Sequence, residues 1–197
     1  MIQRIIDKFT KCAWELELKI NTWSLLNIPQ ERWRLFTALV YIHFLLATFL
    51  FVFGIICFCL GMQFSVMYEE VNCSDGTNIF MPLLNLIASF TGLFTLRTLH
   101  LHWPAFIHFV SLWVVLPINI VQSADSAAAA SRWFHYAKDP RSPSEWAHNY
   151  AYMDIFLAFM GLLNDVVCVG ILWILLKYWC QESVVQNSPR STRQPLR

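Results

Sequence analysis

Residues 35–68 contain no Asp, Glu, Lys or Arg, and the same is true of residues 76–96 and 98–124. A soluble core has no use for uncharged runs of that length, whereas one helix needs about 20 mostly apolar residues to cross a bilayer. Each run therefore holds one transmembrane helix. The composition agrees: 57% apolar residues, 14% charged residues and a mean hydropathy of +0.47 across 197 residues place the chain in the membrane class. The formal net charge of +1 gives no reason to expect a nucleic-acid partner.

A fourth span is expected over residues 155–176, although Asn164 and Asp165 interrupt it near the middle. One acid at mid-membrane costs about 2.5–3.5 kcal/mol on insertion scales. The surrounding Ile155, Phe156, Leu157, Phe159, Leu162, Leu163 and the run from Ile171 to Leu176 together outweigh that cost. The expected spans are 35–60, 80–99, 106–123 and 153–176. The fold class that follows is all-α, a transmembrane four-helix bundle with an N-terminal amphipathic interfacial helix. Residues 1–34 form a cytosolic amphipathic segment, 35–180 the four-span domain and 181–197 a disordered cytosolic tail.

Residues 1–34 mix Ile5, Ile6, Phe9, Trp14, Leu16, Ile20 and Trp23 with charges of both signs, and no uninterrupted apolar stretch marks a cleavable signal. Such a segment lies on the membrane surface or packs beneath the bundle. Pro29 is expected to end it, with Arg32, Trp33 and Arg34 anchoring the entry of the first span. Orientation follows from the basic residues. Residues 61–79 carry Glu69, Glu70 and Asp75 but no Lys or Arg, whereas Arg32, Arg34 and Lys177 flank the first and last spans. Both termini are then cytosolic, in a multi-pass protein of the secretory pathway, plasma membrane or endolysosome.

Asn72-Cys73-Ser74 is an N-glycosylation sequon in the loop that the charge rule places outside. The second outer loop, 124–152, begins with Ala127–Ala130, a possible extension of the third helix, and continues with Trp133, Phe134, His135, Tyr136 and Trp146. Its aromatic residues are expected to fold against the membrane or the bundle, or to meet a partner protein. The tail holds Ser188 and Ser191 among basic residues, where phosphorylation would change its charge.

Asp165 is the first candidate for function, because an acid in mid-span must face the bundle interior, find a partner or be protonated. Asp154, Ala158, Gly161 and Asp165 follow one another by four, three and four residues and so share one helix face. Small and polar residues on one face read first as a helix-packing seam, matched by Asn85, Ser89 and Gly92 in the second span and Asn119 in the third. In the functional alternative, Asn164 and Asp165 line an ion or proton path. His100, His102 and His108 lie around the second turn, but their spacing fits no metal motif, and neither a metal nor another cofactor is expected. His43, alone in the first span, reads as a hydrogen-bonded helix contact. The six cysteines form no disulfide framework, and Cys180, just after the last span, is a candidate for palmitoylation. There is no phosphate loop, nucleophile elbow or HExxH motif, and no enzyme activity is expected.

Gly92 followed by Arg97, the turn from Leu99 to Trp103, Pro104 opening the next helix, and Tyr150 to Tyr152 entering the fourth span resemble the small tetraspan proteins. Within that broad group the chain is most similar to the lysosome-associated transmembrane proteins and the small insect tetraspans of septate junctions. Val40-Tyr41-Ile42-His43 and Trp133-Phe134-His135-Tyr136-Ala137-Lys138 more weakly resemble the Jagunal family, whose dilysine ending is missing from Gln194-Pro195-Leu196-Arg197. The large outer loop lacks the Cys-Cys-Gly of true tetraspanins, and the first loop lacks the Trp…Cys…Cys of claudins. No functional residue is carried over from these groups. The expected function is that of a non-enzymatic four-span protein that organises, escorts or modulates partner membrane proteins. It would engage them through the 124–152 loop or the fourth span. The alternative is an ion- or solute-conducting protein or channel auxiliary subunit using Asp165.

Overall fold

The structure of the protein, a computed structural model, describes residues 2–64, 77–99, 101–138 and 144–180, with side chains over 5–59, 79–99, 101–138 and 147–180. Asn72, Cys73, His100, Ser188 and Ser191 lie outside the described residues. In chain order the elements are α1 (Ile2–Thr22), a 3-10 turn (Leu25–Asn27), α2 (Gln30–Phe64), α3 (Thr77–Arg97), α4 (His102–Tyr136) and α5 (Ser144–Ile174). The helix of α5 continues without a break into a π turn, Leu175–Trp179. No strand occurs among the described residues. Helices α2 to α5 are each long and apolar enough to cross a membrane, so the protein is a multi-pass membrane protein with four spans.

α2 packs on α3 and α5, α3 on α4, and α4 makes its most extensive contact with α5, which closes the four helices into a ring. Both α1 and the end of α5 lie at the same end of the bundle as the α3–α4 turn, and we call that end basal. Phe49, Phe90, Phe94, Val114, Phe159 and Val166 stay more than half exposed on the outside of the ring. That is the arrangement expected where lipid, not water, is the solvent.

The helices run past the limits that hydropathy suggests, because hydropathy marks the apolar stretch and not the end of the hydrogen-bonded ladder. α4 has 35 residues, about 52 Å at 1.5 Å per residue, against a hydrocarbon layer of about 30 Å. The expected 124–152 loop is therefore mostly helix: α4 carries through the Ala127–Ala130 stretch to Tyr136, and α5 resumes at Ser144. The amphipathic segment also ends earlier than Pro29. α1 stops at Thr22, Ser24 caps the 3-10 turn by accepting from Leu26 N at 3.2 Å, and the Pro29 carbonyl accepts the first bond of α2 from Trp33 N at 2.8 Å. Proline lacks an N–H but keeps its carbonyl, which suits it to this position at a helix start.

α1 is exposed along almost its whole length, except at Ile20, which is fully buried. Ile5, Ile6, Phe9 and Leu16 lie on the same helical face as Ile20. Beyond it, the Trp23 ring meets Trp179 edge-on with centroids 4.9 Å apart, and the His102 ring is hydrogen-bonded to the Trp23 carbonyl. The basal half of the ring is apolar and dense. Phe36, Leu112, Ile171, Ile174, Leu175 and Trp179 are all buried at 1% exposure or less.

Candidate functional site

The interior is not apolar throughout. His43, Asn85, Ser89, His108, Asn119, Ser123, Ser126, Asp154, Asn164 and Asp165 are buried polar side chains drawn from all four spans. They fall into three groups.

The first joins α2, α3 and α5. His43 Nε2 lies 3.0 Å from Asn85 Oδ1, and because a carbonyl oxygen only accepts, the histidine donates from Nε2. The Cys168 sulfur sits 3.6 Å from the same nitrogen and accepts weakly from Asn164 Nδ2 at 3.7 Å. His43 Nδ1, the bare nitrogen of this tautomer, meets no hydrogen-bond partner.

The second joins α3 and α4. The Thr91 hydroxyl donates to the Ala88 carbonyl at 2.6 Å, so His108 Nδ1, 3.0 Å from Thr91 Oγ1 and 3.3 Å from Ala88 O, is the protonated nitrogen. Ser111 Oγ lies 3.2 Å from Thr91 Oγ1 and donates to the His108 carbonyl at 2.8 Å. The other side of this imidazole rests on Gly92, where a Cβ would stand 2.7 Å from the ring. A glycine is required there because the histidine occupies the space of its side chain. The two histidine rings are 6.5 Å apart, centroid to centroid.

The third group is the α4–α5 seam. Asn119 faces Asp165, and a Cβ on Gly161 would collide with the Ser123 hydroxyl. These two pairings fix an antiparallel register that carries Ser126 opposite Ala158 and Ala130 opposite Asp154. All eight residues are buried. On α4 the steps from Asn119 are four, three and four residues, the same as those from Asp154 on α5. Each helix thus presents a matching small and polar edge, and the backbones approach where the side chains are smallest. Nearer the open end of this hairpin, Asp154 lies 3.9 Å from the Cys57 sulfur of α2 and has Trp133 and Arg132 of α4 beside it.

Past the seam, α4 and α5 hold an aromatic head. Trp133 stacks on Tyr150 at 4.7 Å with an interplanar angle of 17°, and Phe134 packs on His148 and, edge-on, on Tyr152. Trp133 and Tyr150 are buried, while His135, His148 and Tyr152 are exposed.

Of the residues singled out in the sequence, Asn85, Asn119, Asp154, Gly161, Asn164 and Asp165 all face the interior. His108 does too, nearly two turns inside α4 and remote from the turn where His102 sits. Its placement was hidden because residues 98–104 read as one turn, whereas α4 already begins at His102. Ser123, Ser126, Thr91 and Cys168 were missed, and the signal that would have found the two serines is the four-three-four spacing. Cys180 is half-buried, and burial pushes its thiol above the usual range, which disfavours the reactive thiolate. Among the described residues no three His, Cys, Asp or Glu side chains are grouped to share a metal ion. No family model, curated protein or solved structure matches the chain.

Proposed function

We propose that the protein is a non-enzymatic four-span membrane protein that organises, escorts or modulates partner membrane proteins, with both termini in the cytosol. The observation that carries this reading is the aromatic head at the end of the α4–α5 hairpin. Its Trp133–Tyr150 stack is fixed by burial, and this rigid base presents His135, His148 and Tyr152 outward. Pre-ordered aromatic side chains lose little entropy on binding and are typical anchors of protein interfaces. In this orientation the head is extracytosolic, where it meets the outer segments of neighbouring membrane proteins.

Crosslinking in native membranes followed by purification is expected to recover a stoichiometric membrane-protein partner, and Tyr152→Ala with His148→Ala is expected to release it. A partner retained by the double variant removes the head from the interface. A protein that is monodisperse, partnerless and active alone overturns the whole reading.

The polar interior favours a second reading, conduction of an ion or solute past Asp165. Against it stands the apolar cluster of Phe36, Leu112, Ile171, Leu175 and Trp179, which fills much of the basal interior. Flux through reconstituted vesicles that falls in Asp165→Asn supports conduction; absent or unchanged flux excludes it.

A further inference from the structure

Among the described residues, α1 is covered only at its last turn. Ile20 is fully buried, whereas Ile5, Ile6 and Phe9 are more than half exposed and Leu16 is exposed as well. Ile5 stands about 22 Å along the helix from Ile20, at 1.5 Å per residue. The apolar side of α1 is nevertheless well formed: at 100° per residue, Ile5, Ile6, Phe9, Ala13, Leu16 and Ile20 fall within an arc of about 100° that contains no charged residue. Asp7, Lys11 and Glu15 lie on the other side. A helix of this kind takes most of its stability from packing its apolar face, so the face has to rest against something.

The buried end of that face shows what lies nearest. Ile20 is enclosed at the basal end, where α1 meets α4, and seven residues join α1 to the start of α2. The headgroup level is marked at the same rim, because Arg32 and Lys177 lie 5.8 and 4.9 Å from the centre of the Trp173 ring. Cations beside a tryptophan at the end of a span belong to the membrane–water interface. α1 is therefore anchored at the depth where the hydrocarbon begins, next to spans whose outer surfaces already face lipid. The face that runs from Ile20 to Ile5 is continuous with that lipid-facing surface.

The charges decide which property of the lipid is recognised. α1 carries four basic residues, Arg4, Lys8, Lys11 and Lys19, and three acidic ones, Asp7, Glu15 and Glu17. Asp7, Lys11, Glu15 and Lys19 alternate in sign at steps of four, the spacing of neighbours on a helix surface. No cationic patch results, so an anionic headgroup has little to bind and the apolar side supplies the attraction. We propose that α1 is seated in the basal leaflet of the membrane, with Ile5, Phe9 and Leu16 among the acyl chains, and that it recognises the hydrocarbon of the lipid surface and not the charge of its headgroups. Lys11 and Leu18 then face water. This surface lies at the opposite end of the bundle from the aromatic head and is independent of its partner-binding role.

The test uses the full-length protein in lipid nanodiscs, with a nitroxide carried on a keto amino acid introduced in turn at positions 5, 9 and 16 and at positions 7, 11 and 18, which leaves the cysteines untouched. Collisions with oxygen report lipid, and collisions with a water-soluble nickel chelate report water. Labels at 5, 9 and 16 are expected to meet oxygen and be shielded from nickel, about 5–10 Å into the headgroup and acyl boundary, and labels at 7, 11 and 18 the reverse. The pattern is expected to be the same in pure phosphatidylcholine and with added phosphatidylserine, at low and at high salt. Ile6→Glu with Phe9→Glu is expected to return the labels at 5 and 16 to water while the spans stay folded, since both residues are exposed. Nickel contact at 5, 9 and 16 without those substitutions overturns the seating. Shielding from both reagents overturns it as well, and means that a second copy of the chain covers the face. Seating that needs phosphatidylserine, or that survives the double substitution, overturns the recognition of hydrocarbon.

Discussion

The basal and distal halves of the bundle solve one problem in two ways. Near the termini, Phe36, Leu112, Ile171, Ile174, Leu175 and Trp179 interlock as large apolar side chains, joined at the rim by Trp23 and Phe109. Toward the open end of the α4–α5 hairpin, Asn119, Ser123, Ser126 and Ala130 meet Asp154, Ala158, Gly161 and Asp165. Lipid tails are as apolar as leucine, so burial of apolar surface drives neither half together. The basal half relies on the number of dispersion contacts that large rings make, and the distal half on close backbone approach with hydrogen bonding across it. The same chain therefore contains a region that fails by losing volume and a region that fails by gaining it.

Opposite kinds of substitution test that contrast. Trp179→Ala should have the largest effect, destabilising the folded state by about 3 kcal/mol through the cavity left between Trp23 and Phe109. Reversible unfolding in mixed micelles measures it, and a loss below that of the next variant breaks the comparison. Gly161→Val should cost about 2 kcal/mol by forcing α4 and α5 apart at Ser123. Gly161→Ala should cost less, because the serine hydroxyl can rotate away. If Ala and Val cost the same, the close approach is not what holds the seam.

A double-mutant cycle between His43→Ala and Asn85→Ala should show a coupling of about 1 kcal/mol, typical of interhelical hydrogen bonds in membranes. Additive effects would mean that the 3.0 Å contact contributes no net stability. The smallest effect is expected at the basal rim, where Lys177 Nζ sits 4.9 Å from the centre of the Trp173 ring. Lys177→Gln should cost about 0.5 kcal/mol, as an exposed cation–π contact does.

Three spans were legible in the sequence because uncharged runs of sufficient length admit one interpretation, and the fourth because its apolar residues outweigh Asp165. The seam on α5 was legible too, since an acid and a glycine on one face stand out in an apolar helix. Its counterpart on α4 was not, because Ser123, Ser126 and Ala130 are unremarkable residues until something faces them. The helix ends escaped for a different reason. Ala127–Ala130, Trp133 and Tyr136 continue α4 through the hydrogen bonds of a helix that no longer needs lipid, so hydropathy falls while the helix persists. His43 and His108 show the limit of reading single residues. Each looks like an isolated interfacial or contact residue, and only the ring of four helices brings them 6.5 Å apart.

The Trp23–Trp179 contact has a consequence for the order of assembly. α1 leaves the ribosome ahead of the four spans, yet one ring that receives the residue after it belongs to the final turn of the last span, held there by the π turn that Cys180 N closes on the Leu175 carbonyl at 3.1 Å. A π turn bonds five residues back where an α turn bonds four, and Trp179 is the last residue within it. Part of the seat of α1 is therefore made only after all four spans have been synthesised. A nascent chain halted before residue 175 would have all but the end of its fourth span, with Trp23 able to meet His102 but not yet Trp179.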